Sequence, residues 1–156
     1  MTADPDSGAR QNPHEVFAFF NEIGIIAQLS QALLAKVLPE GVHPSHFSIV
    51  NHLARLGDGK PPVRIASAMQ VTKATMTHSL QVLKTRGLIE IRPSPDDARS
   101  KLVFLTDAGR NFQQEAITGV VAAFGRVLSD QDVAVMRDVM PGLVAIRKLL
   151  DDNRHP

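Results

Sequence analysis

The stretch Thr72–Gly87, T-K-A-T-M-T-H-S-L-Q-V-L-K-T-R-G, constrains the fold more than any other part of the chain. Read as a helix, it places Met76, Leu80 and Leu83 on one stripe, because residues three and four apart share a face. Ala74, Thr77, His78, Gln81 and Thr85 turn to the opposite side, which is small, hydrogen-bonding and free of acids. A solvated face ordinarily mixes Glu with Lys, whereas a face that enters a DNA groove keeps carboxylates away from phosphates. Thr72 is placed to cap the helix and Gly87 to stop it. The stretch reads as a recognition helix.

The residues that follow read as a hairpin. Leu88–Arg92 is short, apolar and carries two β-branched isoleucines, the composition of a strand. Pro93–Ser100 holds two prolines and two aspartates and suits a loop, and Lys101–Leu105 is a second strand. A helix followed by a hairpin with Arg99 and Lys101 at its tip is the layout of a winged helix-turn-helix. In that layout the wing tip approaches a minor groove while the helix occupies the major groove.

Within this layout the run Asp97-Ala98-Arg99-Ser100-Lys101-Leu102-Val103-Phe104-Leu105-Thr106-Asp107-Ala108-Gly109 resembles the wing signature of the MarR family of transcriptional regulators. That signature is an acid, any residue, an arginine, then Leu-Thr and a glycine three residues later. Asp97, Arg99, Leu105, Thr106 and Gly109 match in register, and Val71-Thr72 and Lys84-Thr85-Arg86-Gly87-Leu88-Ile89 match upstream. The resemblance runs over residues 13–150 in element order, with its specific motifs confined to 63–109. It implies a homodimeric, double-stranded-DNA-binding transcription regulator on a roughly palindromic operator, a repressor released by a small-molecule effector that is often aromatic. It also implies that Asp97 holds the wing arginine or a neighbouring basic group in place. The alternative reading is a winged-helix protein-interaction module without DNA binding, since one fold serves both uses.

The expected fold is mainly α, an α+β winged helix-turn-helix with a two-stranded wing and flanking helices that form a dimerisation region. Residues 1–12 lack periodicity and are expected to be a disordered tail. Residues 13–44 give a dimerisation helix and connection, 45–106 the winged domain, and 107–152 C-terminal dimerisation helices. Val16, Phe17, Phe20, Ile23, Ile26, Ala27 and Leu33 recur at helical spacing, and Phe19 and Ile25 widen the apolar face beyond what one core needs. That width predicts burial against a second copy. Thr106 is expected to cap a helix from Asp107 to about Leu128, and Ser129 to start another that reaches about Asp152. Pro141 and Gly142 predict a kink or break near Met136–Met140.

Net charge is only +1, but nine Lys and Arg face four Asp and Glu between residues 60 and 110, so the remainder is acidic. Such polarity orients one end of a molecule toward phosphates. On the recognition helix, Thr72, Lys73, Thr75, Thr77, His78 and Gln81 line or approach the groove. Gln81 or His78 is suited to reading base edges, and the threonines with Lys73 to fixing register on phosphates. Arg64 is placed to reach a phosphate, and Arg99 and Lys101 to act from the wing. Phe17, Phe20, His46, Phe47 and Phe112 are candidate borders of an effector pocket, or simply core.

Catalytic readings find little to stand on. The chain has no cysteine, which excludes disulfides, thiolate metal sites and thiol redox sensing. His43 and His46 form the one close histidine pair, and no third ligand completes a metal site. No glycine-rich phosphate loop, HExxH motif or paired nucleophile and base is present, so neither enzyme activity nor a cofactor is expected. No apolar run approaches the roughly 20 residues of a membrane span, and the N-terminus is not a signal peptide. A cytoplasmic protein with no membrane contact is the expectation.

Overall fold

In the computed structural model, residues 12–97 and 99–154 are described. The expected tail therefore lies outside the described residues except for Asn12, which is the N-cap of the first helix: its side chain accepts from the His14 amide at 3.1 Å. Among the described residues the order is α1 (Pro13–Val37), α2 (Pro44–Leu56), α3 (Pro62–Met69), α4 (Lys73–Thr85), β1 (Ile89–Pro93), β2 (Lys101–Leu105), α5 (Asp107–Phe124) and α6 (Asp130–Asp152). The two strands pair antiparallel, from Ile89 opposite Leu105 to Pro93 opposite Lys101. Two compact units divide α5 between Ala116 and Ile117.

The first unit has a continuous apolar core. Ile49, Val50 and Leu53 of α2, Ile65 and Ala66 of α3, and Met76, Leu80 and Leu83 of α4 meet Ile89, Val103 and Leu105 of the hairpin. Phe112 and Ala116 of α5 complete it. The stripe expected from Met76, Leu80 and Leu83 is thus the buried side of α4, and its acid-free side faces solvent. Gln70, left-handed at φ 54°, makes the turn between α3 and α4, while Gly87 at φ 70° turns α4 into β1. Glycine carries no Cβ penalty there, so α4 ends where the sequence places its stop.

The wing is stitched to the loop after α2. The Gly59 amide donates to the Val103 carbonyl at 2.7 Å, and Val103 returns the bond to the Lys60 carbonyl at 3.0 Å. Asp58 adds a carboxylate that accepts from the Leu105 amide at 3.0 Å and from the Arg110 guanidinium at 2.9 Å. Thr106 makes a second joint. Its hydroxyl donates to the Gly87 carbonyl at 2.6 Å and accepts from the Gly109 amide at 3.0 Å, tying the exit of α4 to the start of α5.

Three expectations need correction. The helix expected to reach Leu128 ends at Phe124, because Gly125 is a poor helix former and Phe124 accepts from the Val127 and Leu128 amides in a closing turn. α6 runs unbroken from Asp130 to Asp152 through Pro141, so of the expected kink or break the break does not occur. A proline withdraws one amide, the one that would meet the Arg137 carbonyl, and the bonds on either side carry the helix across. Finally, among the described residues α1 is long and apolar enough, by length and composition, to cross a membrane. Asn21, Gln28, Ser30 and Gln31 interrupt every apolar run, yet they are too few to make the helix polar as a whole.

None of the residues of α1 is buried within the chain; Phe17, Ile26 and Leu29 are 71%, 63% and 66% exposed. In the second unit, α6 likewise buries no residue and leaves Val135, Met136, Val139, Met140 and Leu149 exposed. Its start is well made: the Ser129 amide donates to the Asp132 carboxylate at 2.8 Å, and the Asp132 amide to the Ser129 hydroxyl at 3.3 Å. The Ser129 hydroxyl also donates to the Asp132 carboxylate at 2.6 Å, and this bond, followed by the one from the Ser129 amide, favours the ionised form and holds the Asp132 pKa below its ordinary value.

Candidate nucleic-acid interface

α4 presents Lys73, Thr75, Thr77, His78, Gln81 and Lys84 to solvent. Several of the hydroxyls are already occupied. The Thr72 hydroxyl caps the helix by accepting from the Thr75 amide at 3.1 Å and lies 2.9 Å from the Thr75 hydroxyl. Thr77 donates to the Lys73 carbonyl at 2.8 Å. A hydroxyl whose proton is spent on its own helix has only lone pairs left to offer, which suits amino-group donors and not phosphate oxygens. Among the described residues Gln81 is held by a 3.4 Å contact to the Thr85 hydroxyl, a weak bond that leaves its amide suited to bidentate reading of a base edge.

The wing adds Arg92 and Lys101 to the lysines of α4. A cleft of about 530 Å³ between α4 and the hairpin is lined by Thr77, Gln81, Lys84, Arg92 and Lys101 over an apolar floor of Pro62, Leu80, Ile91 and Pro93. Three residues singled out from the sequence (Thr77, Gln81 and Lys101) therefore share one surface. Lys73 and Thr77 meet again beside Pro62 and Val63 at the start of α3, and Arg64 is exposed on the next position of that helix. His78 and Gln81 border a shallower depression with Gly41, Val82, Thr85 and Arg86.

Arg99 is exposed at the tip, where the Asp97 carboxylate accepts from its backbone amide at 2.9 Å. Asp97 thus fixes the arginine through the main chain, in an Asx turn, and leaves the guanidinium to other partners. The Ser94 amide closes the loop onto the Ser100 carbonyl at 2.9 Å.

Two members of this surface escaped the sequence reading. Lys84 follows Gln81 by three residues and Thr77 by seven, a helical stripe that identifies it once the axis is drawn. Arg92 lies on β1 with its guanidinium 4.9 Å from the centre of the Phe104 ring and paired with Glu90. Its strand position alone gave no such signal, since the stacking depends on the register that sets Glu90 opposite Phe104. The pairing also neutralises Glu90, the acid nearest the cleft in sequence.

Of the five candidate pocket residues, two are in ring contact with each other. Phe47 and Phe112 meet edge to face at 6.2 Å within the core, and His46 is buried. Phe17 and Phe20 stay exposed on α1, where Phe20 packs against Phe19 at 5.4 Å.

Comparison with known proteins agrees with this geometry. Residues 40–100 match the model of the MarR family. No curated protein matches the chain. Among solved structures, a probable transcriptional regulator from Pseudomonas aeruginosa is 27% identical, with a TM-score of 0.60 over 80% of this chain and 98% of that one. MarR from E. coli in its apo form is 22% identical, with a TM-score of 0.67 over 79% of this chain and 94% of that one. A mutant of E. coli MarR complexed with operator DNA is 21% identical, with a TM-score of 0.61 over 83% and 95%. The sequence match to the MarR family spans residues 40–100, from the turn before α2 to the wing tip, and the chain shares the winged helix-turn-helix fold of these solved structures.

Proposed function

We propose that the chain is a sequence-specific, double-stranded-DNA-binding transcription regulator that works as a homodimer. The observation that carries this reading is the single surface on which the acid-free side of α4 meets Lys84, Arg92 and Lys101 of the cleft. Gln81 and His78 read base edges, while Lys73, Lys84, Arg92, Lys101 and Arg99 neutralise phosphates. The E. coli relative crystallised with operator DNA supports the same use of the fold.

Dimerisation is supported by the apolar faces that α1 and α6 each leave uncovered within the chain. Covering such area stabilises association by about 25 cal/mol per Å². Two copies related by a two-fold axis present two α4 helices to a roughly palindromic site. Repression by occupancy of that site, relieved by a small molecule, is the regulatory mode proposed with it.

A gel shift with the DNA upstream of the chain's own gene tests the reading. The wild type should bind specifically and lose affinity steeply as salt rises, and Arg99→Ala should weaken binding about tenfold or more. Unchanged affinity in Arg99→Ala rejects the wing role. Absence of specific binding by the wild type rejects the function.

A further inference from the structure

The joint between α2 and the recognition helix is built around a histidine that DNA contact does not use. The turn Pro39–His43, the start of α2 and the C-terminal end of α4 meet there. The Arg86 guanidinium, at the end of α4, donates to the Glu40 carbonyl and lies against Gly41, where a Cβ would meet it at 2.5 Å. His46, only 4% exposed, occupies the third position of α2 and accepts a hydrogen bond from the His43 amide at 3.1 Å through its Nδ1. The rings of His43 and His46 are 5.5 Å apart.

Reaching back from the third helical position to the N-cap amide is the task of Glu or Gln in a capping box. Gln performs it at every pH. An imidazole performs it only while Nδ1 is bare, because protonation makes both ring nitrogens donors and sets one N–H against another. Protonation also adds a cation at a helix N-terminus, where the backbone dipoles already present positive charge. The groups acting on His46 are His43 from the cap and His78 and Arg86 from α4, all of them basic. Burial first, and then these neighbours, hold its pKa below the ordinary histidine value.

We propose that His46 makes the seating of the recognition helix on α2 sensitive to pH, so that mild acidification loosens α4 and weakens DNA binding. The sign follows from linkage. An unfolded chain takes up the proton near pH 6.5 whereas folded His46 resists it, so the stabilising contribution is complete above that pH. It is lost as pH falls from there toward the folded value.

The consequence for DNA rests on the function proposed above, but the loosening of the joint does not. The test uses the full chain as wild type, His46→Gln and His52→Gln, the last carrying the control change at a second histidine whose pKa burial lowers. Melting temperature and operator affinity are measured at pH 8.0 and 5.5. The wild type should lose about fivefold or more in affinity relative to His46→Gln on acidification, and should lose several degrees more in melting temperature. Parallel behaviour of wild type and His46→Gln, or equal rescue by His52→Gln, overturns the proposal. Should His46→Gln fail to fold, an NMR titration of the wild type decides: the His43 amide signal should move with His46 protonation, and an unmoved signal overturns it. Failure of the wild type to bind DNA at pH 8.0 rejects the regulator reading, while the melting and NMR results still judge the joint.

Discussion

Gly109→Ala sets two effects of opposite sign against each other. By helix propensity alone, alanine within α5 should stabilise by about 1 kcal/mol. The structure predicts the reverse. A Cβ at Gly109 would lie 2.0 Å from the Leu88 carbonyl oxygen, 3.0 Å from its carbon and 3.3 Å from the Leu105 side chain. The first of these is backbone, so α5 has to withdraw from the wing root by roughly an ångström to reach ordinary contact. Such overpacking costs about 1–3 kcal/mol. The same withdrawal strains the Thr106 amide bond to Leu88 at 3.2 Å and the Thr106 hydroxyl bond to Gly87 at 2.6 Å, each worth about 1 kcal/mol. After the propensity gain, the net loss is about 2–4 kcal/mol. For a chain of this length that corresponds to a drop of roughly 5–15 °C in melting temperature. Urea unfolding with an unchanged slope would place the effect in the folded state. A variant as stable as the wild type, or more stable, refutes the close-approach argument.

Other substitutions separate the remaining claims. Pro141→Ala restores the missing amide in an otherwise unbroken α6 and should stabilise by about 1–3 kcal/mol, read from denaturant unfolding; a loss of stability would mean that the ring itself is required. Lys84→Ala and Arg92→Ala should each weaken binding to operator and to unrelated duplex by similar factors and lower the salt slope by about one; a loss confined to operator contradicts their assignment to phosphates. Leu29→Glu, on the exposed face of α1, should shift the chain toward monomer in sedimentation while leaving the winged unit folded. An unchanged dimer would remove α1 from the interface.

Much of this architecture was legible because local signals and burial agree. The Met76, Leu80 and Leu83 stripe, the Thr72 cap and the Gly87 stop each specify the same helix, and the structure places all of them accordingly. The acid-free face was readable because composition does not depend on register. What escaped depends on pairs distant in sequence. Asp58 and Arg110 meet only after the loop folds onto β2, and Arg92 finds Phe104 only through strand register. His43 and His46 were visible as a pair, but the capping bond from backbone to ring is a matter of rotamer and burial. Gly125 and Pro141 show the limit of local rules in both directions: the first ends a helix that periodicity would extend, and the second fails to end one.

The stitching of Gly59 and Lys60 to Val103 has a bearing on how copies of this chain avoid clumping. A free hairpin offers strangers two rows of unpaired amides and carbonyls. Here β2 is bonded on both flanks, to β1 and to that loop. The open flank of β1 is five residues long, carries Arg92 and closes on Pro93, which has no amide to lend. Growth by strand addition is therefore poorly supported at the wing, and among the described residues most of the greasy surface that remains is helical, with no open row of amides and carbonyls to extend.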